Sequence, residues 1–151
     1  MTSDSPVCIG SSGLASLQAL IATGGRAPIG DLLEFTLTEV GDGWVVLSGT
    51  PTRRAYNPIG TVHGGYAATL LDSACGCAVH SRLTATQAYT TLELKVSYLK
   101  AITDDTGPMR CEGRVLSMGR RAAFAEATLK DASGQPYATG TSTLLVNERR
   151  P

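Results

Sequence analysis

Asp72 is the first residue of this chain that could carry chemistry. It breaks an otherwise uncharged run in which Ala67, Ala68, Leu70, Leu71, Ala74, Cys75, Cys77, Ala78 and Val79 follow one another at close spacing. Those side chains cover every side of a helical projection, so the spacing predicts a helix wrapped all round by other structure. Burying a charge there costs several kcal/mol unless it is paired, hydrogen-bonded or neutral, a large part of the roughly 5–15 kcal/mol by which a domain is stable. The structural reading of Asp72 is a carboxylate that caps a neighbouring loop or bonds to Thr69 one turn back.

At the entrance of the same run stand His63, Gly64 and Gly65. A helix start presents unpaired N–H groups and a partial positive charge, which suits a developing oxyanion. His63 could be a general base there, or the group that caps the helix; Gly64 and Gly65 also permit close backbone packing. His80, near the helix end, reads as a structural cation favoured by the dipole. Cys8, Cys75, Cys77 and Cys111 are four thiols with only two histidines to complete a metal site. Cys75 and Cys77 point to different sides of a helix, so they read as small buried apolar residues, without a disulfide and without a metal.

The elements that must position these residues follow from periodicity. Ser12 precedes Leu14, Leu17 and Ile21 at helical spacing, and Gly24-Gly25 stops that short amphipathic helix. Strands are expected at 32–40 and 44–51 about the turn Gly41-Asp42-Gly43. A loop with Arg53, Arg54 and Tyr56 leads through the turn-prone Asn57-Pro58 into the central stretch, 57–83. Four more strands are expected at 89–100, 108–119, 121–131 and 135–147. In the first of them Leu92, Leu94, Val96 and Tyr98 alternate with Glu93, Lys95 and Ser97, which predicts one buried face. Two strands, one long helix and four strands make an α+β plan with one sheet curled round one helix.

With 151 residues, 42% hydrophobic and 17% charged, the chain is expected to form a single domain over 1–151, its core at about 32–147, with loose ends at the first ten residues and the last four. Thirteen acidic side chains balance thirteen basic ones, which disfavours a nucleic-acid groove. No run reaches the roughly 18 apolar residues of a membrane span, and the N-terminus lacks a signal-peptide pattern, so a cytoplasmic protein is expected. There is no Walker-type or dinucleotide glycine motif.

Asn57, Gly60, Val62-His63-Gly64-Gly65, Leu70-Leu71-Asp72 and the strand end Ser97-Tyr98-Leu99 together resemble the hotdog-fold acyl-CoA thioesterases, specifically the phenylacetic-acid-degradation (PaaI-like) branch. The resemblance implies a helix wrapped by a strongly bent antiparallel sheet. It also implies a homo-oligomer, with two subunits joined edge to edge and often a dimer of dimers, a homotetramer. It assigns Asp72 as nucleophile or as general base toward water, and the Gly64 N–H as the group that polarises the thioester carbonyl. Asn57 would help hold the carbonyl or the water, and Thr91 would position the water, with Thr90 as the alternative if the register slips by one. Arg120 and Arg121 would contact CoA phosphates, guanidinium being suited to them, with Arg53 and Arg54 as weaker candidates and Gly65 beside the substrate. No cofactor is implied, CoA being part of the substrate.

Gly64 and Asp72 are eight residues apart on one helix, about 12 Å along its axis. One carbonyl cannot touch both, so if both act on one substrate they come from different subunits. Two rival functions remain: a hydratase or dehydratase, which needs an Asp and His pair, and a non-catalytic acyl-CoA-binding module. Neither His63 nor His80 is spaced to reach Asp72 within one chain.

Overall fold

A computed structural model describes residues 10–149 of the chain. Cys8, nearly all of the first ten residues and the last two of the chain lie outside the described residues. Helix α1 (Gly13–Ala22) starts where Ser12 accepts a hydrogen bond from the Ala15 N–H, the expected cap. A short helix α2 (Pro28–Leu33) follows, and this corrects the strand start expected at residue 32. Pro28 is pre-set for a first helical position, and Glu34, with φ 59°, turns the chain out of the helix before the strand begins.

Strands β1 (Phe35–Gly41) and β2 (Trp44–Gly49) form the expected hairpin. The long helix α3 (Gly64–His80) then leads to β3 (Gln87–Tyr98), β4 (Met109–Met118), β5 (Ala122–Asp131) and β6 (Pro136–Glu148). All pairings are antiparallel, in the sheet order β1-β2-β4-β5-β6-β3. Six strands about 4.8 Å apart would be far wider than a helix if flat. Since α3 touches all six, the sheet must curl round it. This is the hotdog fold. The chain end runs further into structure than expected: Glu148 pairs with Gln87, and the Arg149 N–H donates to the Thr86 carbonyl. No helix among the described residues is long and apolar enough to cross a membrane.

The core is the inner face of the sheet against α3, with Leu70, Leu71, Ala74, Cys75, Ala78 and Val79 buried beside Cys111, Leu129 and Leu144. Wrapping is nevertheless incomplete. Ala68, Thr69, Asp72, Ser73 and Cys77, which share one side of the helix, are only half-buried and leave an open stripe. A sheet closes round a helix only as far as its edges reach, and β1 and β3 are both edges.

The face expected for β3 also needs correction. Leu92 and Tyr98 are exposed rather than buried. Thr91 pairs with Leu144 and Glu93 with Thr143, so Leu92 is the extra residue of a β-bulge. Before the bulge Tyr89 and Thr91 face α3, and after it Val96 and Tyr98 do. Parity flips at Leu92.

His80 is structural, as expected, but buried, and burial works against the cation expected at the helix end. Ser16 donates to the Gly13 carbonyl, so its oxygen is left to accept from His80 Nε2 at 3.1 Å, and this ties α1 to α3. Burial first, and Arg149 second, lower the His80 pKa from 6.5. The folded chain therefore binds fewer protons than the unfolded one just below that value, and stability falls as pH drops through this window. Denaturant unfolding at pH 7.5 and 5.5 should show the loss in the wild type and a smaller one in His80→Gln.

Candidate active site

The loop before α3 is built to deliver its first residues. Arg53–Ala55 make one 3-10 turn, Tyr56 bridges to Val62, and the His63 N–H donates to the Ala55 carbonyl. Asn57 holds the tip: its Oδ1 accepts from the Ile59 and Thr61 N–H groups, and its Nδ2 donates to Thr61 Oγ1 at 2.9 Å. Within one chain Asn57 therefore shapes the loop, and one amide proton remains for a ligand.

His63 is the N-cap of α3, its Nδ1 accepting the Gly65 N–H at 2.8 Å. That bond uses the lone pair a general base would need, and it takes the Gly65 N–H away from any substrate. The Tyr66 N–H goes to the His63 carbonyl. Of the first three amides of α3, only the Gly64 N–H has no acceptor among the described residues. It opens beside a cavity of about 330 Å³ lined by Asn57, His63, Gly64, Tyr98, Lys100 and Tyr137, among others.

Asp72 lies outside that cavity. It sits on the open stripe two turns further along α3, half-buried, with Oδ1 accepting from Thr91 Oγ1 at 3.0 Å. Thr90 is exposed, so the bulge rather than a register slip brings Thr91 to the carboxylate. Thr69 does not compete for Asp72, since its hydroxyl donates to the Gly65 carbonyl. The other carboxylate oxygen has no hydrogen-bond donor among the described residues. Nearby Cys77 is no thiolate: burial, and then the Asp72 charge, push its thiol up to about 11.

Arg120 and Arg121 are exposed at the β4–β5 turn, and neither has an acidic partner among the described residues. Ala122 pairs with Leu145 and Leu145 with Thr90, so this turn lies at the Thr91 end of the sheet, two strands or about 10 Å across. Arg53 is committed to Asp104 and stacks on Tyr56. A larger groove of about 530 Å³ on the outer sheet face contains none of the candidate residues. Its charges pair with one another or with Glu39, as in Arg110–Glu39, Lys130–Glu112 and Arg114–Glu126, so it reads as a solvated face.

Tyr98 was not legible as a neighbour of the site. Periodicity marks it as one more core-facing strand residue, yet its hydroxyl donates to the Gly64 carbonyl at 2.9 Å, across 34 residues of sequence.

The profile of the thioesterase superfamily matches residues 59–138, just over half of the chain and the part that holds Gly64, Asp72 and Thr91. A protein of Halobacterium salinarum named as an esterase is 39% identical over 95 residues, 58% of this chain and 61% of that one, so the match spans under two thirds of that relative. Among solved structures, a thioesterase family protein from Silicibacter pomeroyi superposes with a TM-score of 0.77 at 28% identity, over 88% of this chain and 96% of that one. A Streptococcus mutans protein solved with acetyl-CoA bound superposes with a TM-score of 0.69 at 26% identity, over 78% of this chain and 92% of that one.

Proposed function

The chain belongs to the thioesterase superfamily, and from that premise we propose that it hydrolyses an acyl-CoA thioester to the free acid and CoA. The observation that carries this reading is the half-buried Asp72 on the open face of α3, one oxygen held by Thr91 and the other free to act. Asp72 takes a proton from water as the water oxygen attacks the carbonyl carbon, or attacks that carbon itself. Negative charge then develops on the carbonyl oxygen, which the Gly64 N–H at the start of α3 meets. The C–S bond breaks, and the thiolate of CoA leaves and is protonated, by Asp72 where water attacked. Where Asp72 attacked, water then hydrolyses the mixed anhydride left on its carboxyl, which releases the free acid and restores Asp72.

One chain does not bring these two groups together, and two do. Helix α3 runs antiparallel to β3, so Gly64 lies by Tyr98 while Asp72 lies by Thr91. The outer edge of β3 is unpaired in the sheet. A second copy pairing there about a two-fold axis reverses the strand and sets the Thr91 half of one subunit against the Tyr98 half of the other. The site is thus shared between subunits of a dimer, or of a homotetramer built as a dimer of dimers. We read the Asn57, His63-Gly64-Gly65 and Asp72 pattern as support for the phenylacetic-acid-degradation branch and for an aryl or medium-chain acyl group, and the acetyl-CoA on the Streptococcus mutans relative is consistent with a CoA ester. Arg120 and Arg121 are the contacts for its phosphates.

The hydratase reading loses its base. His63 is committed to the Gly65 N–H and His80 to Ser16, and neither is bonded to Asp72. The deciding experiment is release of free thiol from a panel of aryl- and alkyl-CoA esters. Turnover on any ester supports the proposal. Tight ester binding without thiol release would make the protein an acyl-CoA-binding module.

A further inference from the structure

The first turn of α3 is clamped from two sides. On one, the His63 ring accepts the Gly65 N–H at 2.8 Å. On the other, the Tyr98 hydroxyl donates to the Gly64 carbonyl at 2.9 Å, and its ring lies so close that a methyl group on Gly64 would stand 3.1 Å from three of its atoms. Within one chain Tyr98 is 57% exposed, so there the hydroxyl bond rather than burial holds it in place. It is also the last residue of β3 and a wall of the cavity beside Gly64.

Glycine has the widest backbone freedom of any residue, and an oxyanion donor is effective only when it is already aimed before charge develops. Gly64 carries the one unfilled N–H of the first three in the helix. That N–H lies in the peptide plane of the His63 carbonyl, which accepts from the Tyr66 N–H. The plane that follows carries the Gly64 carbonyl held by Tyr98, so rotation between the two planes at Gly64 is what the tyrosine limits. From these contacts we infer that Tyr98 is a positioning residue that fixes the Gly64 backbone so that its N–H points into the cavity, where the thioester carbonyl is received. The inference rests on the thioesterase reading for its catalytic consequence, while the clamp itself is a property of the backbone.

Tyr98→Phe keeps the ring and removes only the hydroxyl bond. In the full-length oligomer this variant should lower kcat roughly ten-fold on the best CoA ester, with KM, melting temperature and oligomeric state unchanged. That is well short of the 10²–10³ lost with an outright oxyanion donor. A merely structural role would shift melting temperature, or KM and kcat together. The second readout does not depend on turnover: the 15N relaxation order parameter of the Gly64 amide should fall in Tyr98→Phe from the rigid value of about 0.85. An unchanged order parameter overturns the clamp. A lowered order parameter with unchanged kcat, in a protein whose wild type does release thiol, overturns its catalytic consequence and leaves the thioesterase reading standing. If the wild type cleaves no ester of the panel, it is the thioesterase reading that fails, and the order parameter alone decides whether Tyr98 holds Gly64.

Discussion

Asp72→Asn should remove thiol release from every CoA ester that the wild type cleaves, kcat falling by roughly 10³-fold, within the range assigned to a positioned acid–base group. KM should stay within about two-fold. The reason lies in the geometry. Asn is nearly isosteric, and its amide oxygen can still accept from the Thr91 hydroxyl that now bonds Asp72 at 3.0 Å. What is lost is the second oxygen, as the base for water or as the attacking atom. Because Asp72 is only half-buried and has no ion-pair partner among the described residues, the change leaves no orphaned charge. Melting temperature and oligomeric state should be those of the wild type. Steady-state thiol release, wild type beside variant and with both circular dichroism spectra in hand, checks this. Comparable turnover in the variant removes Asp72 from the mechanism.

The largest effect on stability should come from a residue far from the chemistry. Gly113 lies in the middle of β4, paired with Val45 on one side and Ala127 on the other. A Cβ there would stand 2.5 Å from the carbonyl oxygen of Ala74 and 2.6 Å from its carbon. Those atoms are backbone of the buried helix rather than the end of a side chain, so relief requires α3, which packs on all six strands, to shift as a body. Gly113→Ala should therefore cost about 3 kcal/mol, the upper part of the usual range for overpacking a core, and lower the melting temperature by about 10 °C. Gly76→Ala is the matched control. Its methyl would meet the Tyr89 hydroxyl, also at 2.5 Å, and two ring atoms at 2.9 Å. These are the end of a side chain on an edge strand and not helix backbone, so one side chain rather than an element has to give. The loss there should be clearly smaller. Thermal unfolding of the two variants followed by circular dichroism tests the contrast, and a Gly113→Ala protein as stable as wild type would show that the helix is not held where the structure puts it.

Much of the architecture was legible because it depends on local pattern. The apolar run around Asp72, the Ser12 cap, the Gly41-Asp42-Gly43 turn and the breaks between the last four strands each mark an element by its own residues. Where reading failed, the cause was a contact made elsewhere in the chain. Leu32 and Leu33 look like the start of a strand, but Pro28 and the left-handed Glu34 enclose them in a helical turn. Leu92 keeps perfect alternation in sequence, yet the bulge that removes it from the inner face is set by the pairing of β3 with β6. His80 looks like a helix-end cation, and Ser16, 64 residues earlier, makes it a buried group.

From sequence alone came the superfamily, the curled-sheet plan and the position of Asp72 and of the first glycine on one helix, since these depend on residue types at short spacing. The eight-residue gap between Gly64 and Asp72 already shows that one chain cannot bring both to one carbonyl, because helix rise is the same in every protein. Only the tertiary structure decided which threonine meets Asp72, which of the first three amides of α3 has no acceptor among the described residues, and which tyrosine bonds to the Gly64 carbonyl. Each of these depends on a side chain brought in from β3 or from the preceding loop, and such meetings are set by register, bulges and caps that leave no periodic trace in the chain.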